Sequence, residues 1–450
     1  MKSIIIGAGD VGLNIARHLV LENRDVVVID SSAERLAVVN ETVDVQTIHG
    51  RGSHPDVLER AGAGNADMLI AVTQSDEVNM VACQMAYSLF NVPKKIARVR
   101  HSSYLKLVKG HLFTPDNMPV DVIISPEAEV AESIIRNLDI PGAFDSNYFA
   151  EGEIALIGVN IQKKSPVLNI ALKQLTNTAD IEFVAVAIYR DGRVIIPRGS
   201  DHIEEGDEVF FVCRSADIAD VMHLFGYESQ KKVRRVCVIG GGHIGFEVCK
   251  RLVKRGVITR VIESDKERAN RMAEMMEDVT VIHGSAVDRD LYEEENLGQM
   301  DAILAVTNDD AANILSTVLA NQMGAQTVVT RINHSNYMPL IDGLNLKKVV
   351  SPLEITASRI LQHVRRGFIH SLHTIHEGQA QVIEAQVTRS SKLVGSHLMD
   401  IDLPEGVTIA AIYNSKKGMV LPREMTIIRE GDRVIFFSSV EKIGEVDELF

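Results

Sequence analysis

Residues 2–30 carry the pattern that most restricts the fold of this chain, because a strand, a glycine turn, a helix and a second strand follow one another there. The apolar run Ser3–Ile6 is typical of a strand buried on both faces. The next glycines have the spacing G-x-G-x-x-G: the first permits a tight turn, the second lets the backbone approach a pyrophosphate, and the third lets the helix pack on its strand. They are Gly7, Gly9 and Gly12. The helix that follows would direct its free N–H groups at the phosphates.

An acidic residue completes this motif. The second apolar strand, Val26–Ile29, ends at Asp30, which lies 23 positions after Gly7. A carboxylate at this position accepts hydrogen bonds from the ribose hydroxyls of an adenosine and repels a 2′-phosphate. The pattern therefore favours NAD(H) or another adenine nucleotide over NADP. A doubly wound sheet whose glycines serve packing alone is the alternative that the sequence leaves open.

The same motif occurs a second time in the chain. Lys231–Glu263 repeats the order of elements, and Glu263 lies 23 positions after the first glycine of its own loop. The three glycines of that loop are Gly240, Gly242 and Gly245. Because the two copies stand 233 residues apart in a chain of 450, the sequence indicates an internal duplication.

Composition restricts the class of protein further. With 46% hydrophobic residues the chain can build ordinary cores in two to four domains, and it has no apolar run of about 20 residues that could span a membrane. The first strand begins at the N-terminus, so no signal peptide is expected. Four cysteines without C-x-x-C spacing predict reduced thiols of a cytoplasmic protein. A net charge of −14 disfavours nucleic acid or anionic lipid as a direct partner, but suits the basic cytoplasmic loops of a membrane protein.

Each half continues as a Rossmann-like doubly wound sheet. In the first half, further strands are predicted at Val45–Ile48, Met68–Val72 and Lys95–Val99, and the loops at their carboxyl ends should converge on one crevice. The second half repeats this order at an offset close to 234, with predicted strands at Val279–Ile282, Ala302–Val306 and Thr327–Ile332. Ser-Pro pairs at 125–126 and 351–352 predict the start of a helix in each half.

The remainder of each half shows the period-2 alternation of a small α+β domain, with strands such as Ile154–Ile161 and Val407–Tyr413. Four domains are therefore expected, a Rossmann-like domain followed by a small domain in each half. Their predicted ranges are 1–140, 141–230, 231–368 and 369–450.

The duplicated Rossmann unit with GAGDVG, a strand-end acid and AVTQSDEVNM, each followed by a small β-rich domain with Pro-Arg and E-G-D, resembles the RCK (KTN) family, which regulates potassium channels and transporters. The resemblance implies two nucleotide-binding RCK_N domains, two RCK_C domains and assembly into a homo-oligomeric ring, expected to be tetrameric. It also implies a non-enzymatic subunit on the cytoplasmic face of the inner membrane. Such a subunit would gate a TrkH-type membrane potassium channel in response to NAD(H) and ATP/ADP.

The resemblance also assigns binding residues. In the first half it places the pyrophosphate on the loop, the adenosine ribose on the acid, and the rest of the ligand on the fourth and fifth strands: Gly7, Ala8, Gly9, Asp10, Val11 and Gly12; Asp30; Thr73, Gln74 and Arg98. The matching positions in the second half are Gly240, Gly241, Gly242, His243, Ile244 and Gly245; Glu263; Thr307 and Arg331. For the two arginines, a solvated surface position is the alternative.

The two copies are not equivalent. Arg51 stands where the second half has Ser285, and Arg100 where it has Asn333. A planar guanidinium suits phosphate oxygens, so Arg51 and Arg100 are candidate ligands of additional phosphates in the first crevice. The first half is therefore predicted to sense phosphate number, and the second to bind a dinucleotide or to serve mainly in ring structure.

An NAD-dependent oxidoreductase is the alternative function. Such an enzyme needs a substrate domain with a proton-transfer group, whereas here the small domains are duplicated, and His202 and His223 have no counterpart in the second half. A DNA regulator is disfavoured by the acidic charge, and an ATPase by the absence of G-x-x-x-x-G-K-[ST]. No clear metal-ligand spacing is present, so no metal site is predicted.

Overall fold

The computed structural model describes residues 1–106, 112–178, 181–227, 232–344, 346–364, 368–375, 379–439, 442–447 and 449–450. Within these ranges the backbone forms two parallel six-stranded sheets and two antiparallel five-stranded sheets, which alternate along the chain. This arrangement confirms the predicted fold class of two Rossmann-like sheets, each followed by a small α+β domain.

The first parallel sheet has the strand order β3-β2-β1-β4-β5-β6. Its strands are β1 (Lys2–Ile6), β2 (Asp25–Asp30), β3 (Gln46–His49), β4 (Met68–Ala71), β5 (Lys94–Arg98) and β6 (Val122–Ile124). The segments between and directly after these strands form α1 (Asp10–Leu21), α2 (Ala33–Thr42), α3 (Pro55–Arg60), α4 (Asp76–Phe90), α5 (Ser102–Lys106) and α6 (Pro126–Asp139). The order reverses between β1 and β4, which is where a doubly wound sheet opens a ligand crevice.

Local chemistry explains where these elements begin. The central strand β1 buries Ile4 and Ile5 completely, as expected for a parallel strand covered by helices on both faces. Ser32 caps α2 by accepting a hydrogen bond from the Arg35 N–H at 3.3 Å. Ser75 caps α4 in the same way, accepting from the Val78 N–H at 3.2 Å. Each cap satisfies a backbone donor that the first helical turn leaves unpaired.

The first antiparallel sheet has the order β10-β9-β11-β8-β7. It consists of β7 (Ala143–Phe149), β8 (Ile154–Asn160), β9 (Phe183–Arg190), β10 (Arg193–Ile195) and β11 (Glu208–Arg214), with α7 (Leu172–Thr178) and α8 (Ile218–Leu224). Asp191 and Gly192 both have positive φ angles, 49° and 77°. This is the backbone that a two-residue hairpin turn requires, as the Asp-Gly pair predicts.

The second half repeats both sheets. Its parallel sheet, ordered β14-β13-β12-β15-β16-β17, comprises β12 (Arg235–Ile239), β13 (Ile258–Glu263), β14 (Val279–His283), β15 (Ala302–Ala305), β16 (Thr327–Arg331) and β17 (Val349–Val350). The accompanying helices are α9 (His243–Lys254), α10 (Lys266–Met275), α11 (Arg289–Glu294), α12 (Asp310–Gln322), α13 (Met338–Gly343) and α14 (Pro352–Val364). The final sheet, ordered β18-β19-β22-β20-β21, comprises β18 (Phe368–Ile375), β19 (Ala380–Gln386), β20 (Val407–Asn414), β21 (Gly418–Val420) and β22 (Arg433–Ser439), followed by α15 (Ile443–Asp447).

The chain divides into two compact units. One contains residues 1–126, 353–372 and 440–448, and therefore the first parallel sheet together with most of α14. In this unit Arg24 donates to the carbonyl oxygen of Val364 at 3.2 Å, and Lys94 donates to that of His363. Helix α14 is thus held by side chains around the first parallel sheet.

The other unit contains residues 127–352, 373–439 and 449–450, and therefore the second parallel sheet, the first antiparallel sheet, the second antiparallel sheet without the first part of β18, and nearly all of α6. Here Arg255 binds both carboxylate oxygens of Asp139, at 2.7 and 3.0 Å, and Lys348 donates to the Asn137 carbonyl at 2.9 Å. The faces of the two antiparallel sheets also share one buried apolar cluster, which includes Phe210 and Phe437. The four domain boundaries given by the sequence stay predictions.

The sequence also gave predictions about membrane-spanning segments and about the cysteines. Among the described residues, no helix has both the length and the apolar character of a membrane span. The four cysteines are buried free thiols, and burial raises the pKa of Cys83, Cys213 and Cys237 to about 12. Such thiols are protonated and unreactive at neutral pH.

Candidate functional site

The first glycine loop contains two glycines that the backbone requires and one that it does not. Gly7 has a φ of +110°, which favours glycine, and a Cβ on Gly12 would lie 1.8 Å from the carbonyl oxygen of Gly7. Gly9 is different, because a Cβ there would meet no protein atom within 4 Å. The space beside Gly9 is therefore open, as the close approach of a pyrophosphate demands.

The second loop has the same division. Gly240 has a φ of +105°, a Cβ on Gly245 would lie 1.9 Å from the Gly240 carbonyl oxygen, and Gly242 again faces open space. Gly9 and Gly242 are also the N-caps of α1 and α9, and neither helix has a side-chain cap. Donors of both first turns are thus left for another acceptor.

The other predicted loop residues surround these openings. Asp10 and His243, the first residues of α1 and α9, are exposed, whereas Ala8, Gly241 and Ile244 are buried and Val11 is half-buried. The first loop therefore has a carboxylate, and the second an imidazole, at the first residue of its helix. No metal-binding group of three or more His, Cys, Asp or Glu side chains occurs in the described parts of the chain.

Asp30 lies at the end of β2 with its carboxylate against the glycine loop. Its Oδ2 accepts a hydrogen bond from the Ala8 N–H at 2.6 Å, and its Oδ1 accepts from the Ser32 N–H at 2.8 Å. The side chain is buried, yet each oxygen retains one acceptor position. The structure thus brings the predicted loop and the predicted ribose ligand together.

Glu263 occupies the equivalent place in the second half. Its Oε2 accepts from the Gly241 N–H at 2.8 Å, and its Oε1 accepts from the Asp265 N–H at 2.8 Å. Arg268 forms an additional ion pair with Oε2 at 3.4 Å. The predicted acid and loop are therefore also in contact here, but the carboxylate is already paired with the Arg268 guanidinium.

The end of β4 is held by a buried asparagine. Asn79 accepts from the Thr73 N–H and hydroxyl, at 2.9 and 2.7 Å, and donates to the Arg98 carbonyl at 2.9 Å. In the second half Asn313 makes the same bonds with Thr307 and Arg331. The threonine hydroxyls predicted to line the ligand thus also tie the fourth strand to the fifth.

The first-half arginines have separate positions. Arg98 is half-buried at the end of β5. Arg100 donates to the carbonyl oxygen of Gln74, and its Nε lies 4.0 Å from Asp76 Oδ1. Arg51 is exposed beyond the end of β3, next to Gly50, whose N–H donates to the Asp30 carbonyl at 2.9 Å. Arg51 and Arg98 therefore both lie at strand ends along the predicted crevice, whereas Arg100 is joined to the loop that contains Gln74.

The second-half arginine is more restricted. Arg331 donates to the side-chain oxygens of Asn308 and Asn333, at 2.8 and 3.0 Å. Burial lowers the pKa of Arg331, and the carboxylates of Asp310 and Glu127 oppose that shift. Its guanidinium is thus occupied by its own neighbours.

Sequence reasoning gave no role to four buried residues that build the crevices: Asp76, Asn79, Asp310 and Asn313. Asp76 accepts from the N–H groups of Arg100 and His101, at 3.0 and 2.8 Å, and Asp310 accepts from those of Asn333 and His334, at 2.9 and 3.1 Å. Their recurrence at a constant offset of 234 was the available signal. They position the loops after the fifth strands.

Two Rossmann-like sheets with open glycine loops and strand-end acids, each followed by a small antiparallel domain, define the class as a tandem RCK-type chain. The GsuK RCK domain has this fold, with a TM-score of 0.62 at 18% identity, covering 100% of this chain and 94% of that one. The GsuK channel bound to NAD gives a TM-score of 0.61 at 18% identity, covering 100% and 78%.

Sequence comparison identifies the family. The TrkA-N domain model matches residues 3–126 and 236–352, and the TrkA-C domain model matches residues 156–226 and 382–450. Trk system potassium uptake protein TrkA from Azorhizobium caulinodans is 42% identical, and that from Haemophilus influenzae 37%, each over 100% of this chain and 98% of the relative. The chain therefore belongs to the TrkA family, and this membership makes it a protein of potassium transport.

Proposed function

We propose that the chain is the nucleotide-binding regulatory subunit that gates a TrkH-type membrane potassium channel. The observation that carries this proposal is the pair of open positions beside Gly9 and Gly242, each next to a buried acid at the adjoining strand end. Protein packing requires neither glycine, but close approach of a phosphate does. Family membership supplies the connection to potassium uptake.

The proposed ligands are NAD(H) and ATP/ADP. Both groups share the adenosine ribose that Asp30 can bind, and the uncapped first turn of α1 offers donors to a phosphate of either. The related RCK fold is known from the GsuK channel bound to NAD and from GsuK bound to ADP. Different nucleotides would occupy overlapping positions and stabilise different arrangements of the domains.

The proposed location is the cytoplasmic face of the inner membrane, through the membrane partner. The acidic net charge of −14 is complementary to the Lys- and Arg-rich cytoplasmic loops of such a partner. Regulation, without catalysis, is proposed because duplicated crevices and duplicated small domains suit a device that converts ligand binding into movement.

Reconstitution tests the function directly. Vesicles that contain a TrkH-type channel should show rubidium uptake that depends both on the purified chain and on the nucleotide supplied, with different rates for ATP, ADP and NADH. If rubidium uptake did not change when the chain was added, and the chain oxidised NADH with a 2-oxo acid as the second substrate, the oxidoreductase function would be favoured instead.

The first site should bind NADH and ATP through one shared carboxylate. Asp30→Ala is expected to weaken both ligands by about tenfold, because it removes charged acceptors of the ribose hydroxyls. Calorimetry at a temperature where the variant is folded measures both affinities, in a chain whose second site is blocked by Gly242→Val. Asp25→Ala, at the exposed start of the same strand, is the matched control. Wild-type affinity for either ligand in Asp30→Ala would exclude the assignment.

The chain should form a closed ring. Several units must be joined before ligand-driven domain movement can act on a pore, and closed symmetric assemblies are the rule for such oligomers. Light scattering is expected to give a mass of about 200 kDa, four times the chain mass of 49.5 kDa. A stable species of one chain at micromolar concentration would contradict the prediction.

A further inference from the structure

The two strand-end acids differ in how many of their acceptor positions are filled. Asp30 accepts two hydrogen bonds within the described residues, from the N–H groups of Ala8 and Ser32. An ionised carboxylate offers about four acceptor positions, so two remain. Two is the number needed by the 2′- and 3′-hydroxyls of a ribose.

Glu263 has four donors around it. Its Oε2 faces the Gly241 N–H at 2.8 Å and Arg268 Nη1 at 3.4 Å. Its Oε1 faces the Asp265 N–H at 2.8 Å and the Ser264 hydroxyl at 3.4 Å. The two backbone bonds are short and match those of Asp30, whereas the two side-chain bonds are long and have no counterpart there. A ribose can therefore reach Glu263 only by displacing Arg268 and Ser264.

The sequence difference between the halves accounts for this arrangement. Glutamate is one methylene longer than aspartate, and the second loop has Gly241 where the first has Ala8. A Cβ on Gly241 would lie 3.2 Å from Glu263 Oε2 and 3.0 Å from the Met272 sulfur. The loss of a methyl group at position 241 thus makes room for the longer acid.

Arg35 is the first-half counterpart of Arg268, 233 residues earlier. Both arginines lie in the first turn of a helix, α2 or α10, and their backbone N–H groups donate to the capping side chain: that of Arg35 to Ser32 Oγ at 3.3 Å, and that of Arg268 to Asp265 Oδ1 at 2.8 Å. The Arg35 side chain is exposed and makes no ion pair with Asp30 in the described structure. The ion pair to the acid is therefore a property of the second half alone.

We propose that Arg268 is a specificity-determining residue that occupies the ribose position of the second crevice and must leave it before an adenosine nucleotide binds. This inference rests on the proposed nucleotide-binding function. The Arg268 side chain is 46% exposed and its Nη2 lies 3.9 Å from Asp265 Oδ2, so Asp265 offers it a second carboxylate when it moves. The second site thus binds adenosine nucleotides more weakly than the first.

Removal of this side chain should strengthen binding. In the full chain with the first site blocked by Gly9→Val, Arg268→Ala is expected to bind NADH and AMP about three- to tenfold more tightly, because a competing ion pair is lost. Removing a cation near an anionic ligand would otherwise weaken binding, so the sign of the change is diagnostic. Arg35→Ala, in a chain whose second site is blocked by Gly242→Val, is the matched control and should change affinity by less than about twofold.

Three results would overturn the inference. Unchanged or weaker NADH binding in Arg268→Ala, together with normal binding at the first site of the chain that carries Gly242→Val alone, would reject it while leaving the proposed function intact. Tighter binding of NADPH than NADH by the second site, lost in Arg268→Ala, would make Arg268 a ligand of the 2′-phosphate. Absence of nucleotide binding at the first site of the unmodified chain would reject the proposed function and this inference together.

Discussion

Gly9→Val should strongly weaken nucleotide binding to the first site and leave the fold intact. Gly9 has φ −77° and ψ −176°, an extended backbone that any residue adopts, and its Cβ position is free of protein atoms within 4 Å. A valine there would fill the space that a pyrophosphate needs. We expect the affinity for NADH and ATP to fall by at least about thirtyfold, roughly 2 kcal/mol.

Gly12→Val should chiefly destabilise the fold. Its Cβ would lie 1.8 Å from the Gly7 carbonyl oxygen, so α1 would have to move away from the loop, at a cost to folding of about 2–3 kcal/mol. Thermal unfolding and calorimetry on both variants separate the two effects, and Gly64→Val, at an exposed glycine with open space around it, controls for the added side chain. A Gly9→Val chain that binds NADH normally would contradict the phosphate assignment.

The parallel sheets were predictable because their signals are local. The first four strands of each sheet end in an acid or lead into a glycine or a threonine loop, and the repeat at a nearly constant offset supports these assignments in both halves. The short sixth strands, β6 and β17, were not predicted. The predicted strand Met68–Val72 and the observed Met68–Ala71 differ by one residue. Strand β7, Ala143–Phe149, was not predicted, because the polar residues Asp145 and Asn147 interrupt its apolar pattern.

The candidate site was predictable in its positions but not in its contacts. Spacing alone places Gly9 and Asp30 at neighbouring strand ends, and the hydrogen bond from Ala8 to Asp30 agrees with that placement. Spacing does not reveal that Arg268 reaches Glu263, since this depends on the length of two side chains and on the missing Cβ of Gly241. Nor does it reveal that the Arg100 guanidinium reaches the Gln74 carbonyl.

These contacts sharpen the predicted division of labour between the halves. Of the first-half guanidinium groups without a second-half counterpart, Arg100 is joined to Gln74, whereas the Arg51 side chain is exposed and has no hydrogen bond or ion pair within the described residues. The matching position in the second half is Ser285, and Arg331 is held by Asn308 and Asn333. Arg51 is therefore the cation most available to a third phosphate.

Arg51→Ala should remove most of the preference of the first site for ATP over ADP. A charge-assisted hydrogen bond to a phosphate contributes about 1.5–3 kcal/mol, so the ATP affinity is expected to fall by about tenfold or more while the ADP affinity changes little. Ser285→Arg is the reciprocal variant, which should give the second site a preference for ATP that it lacks. Calorimetry with the other site blocked, by Gly242→Val or Gly9→Val, measures each ratio of affinities.

Recordings of the reconstituted channel should then show the ATP response lost in Arg51→Ala and in Arg98→Ala but retained in Arg331→Ala. Equal loss in Arg98→Ala and Arg331→Ala, or an unchanged ratio of ATP to ADP affinity in Arg51→Ala, would show that the halves do not divide the sensing of phosphate number in this way.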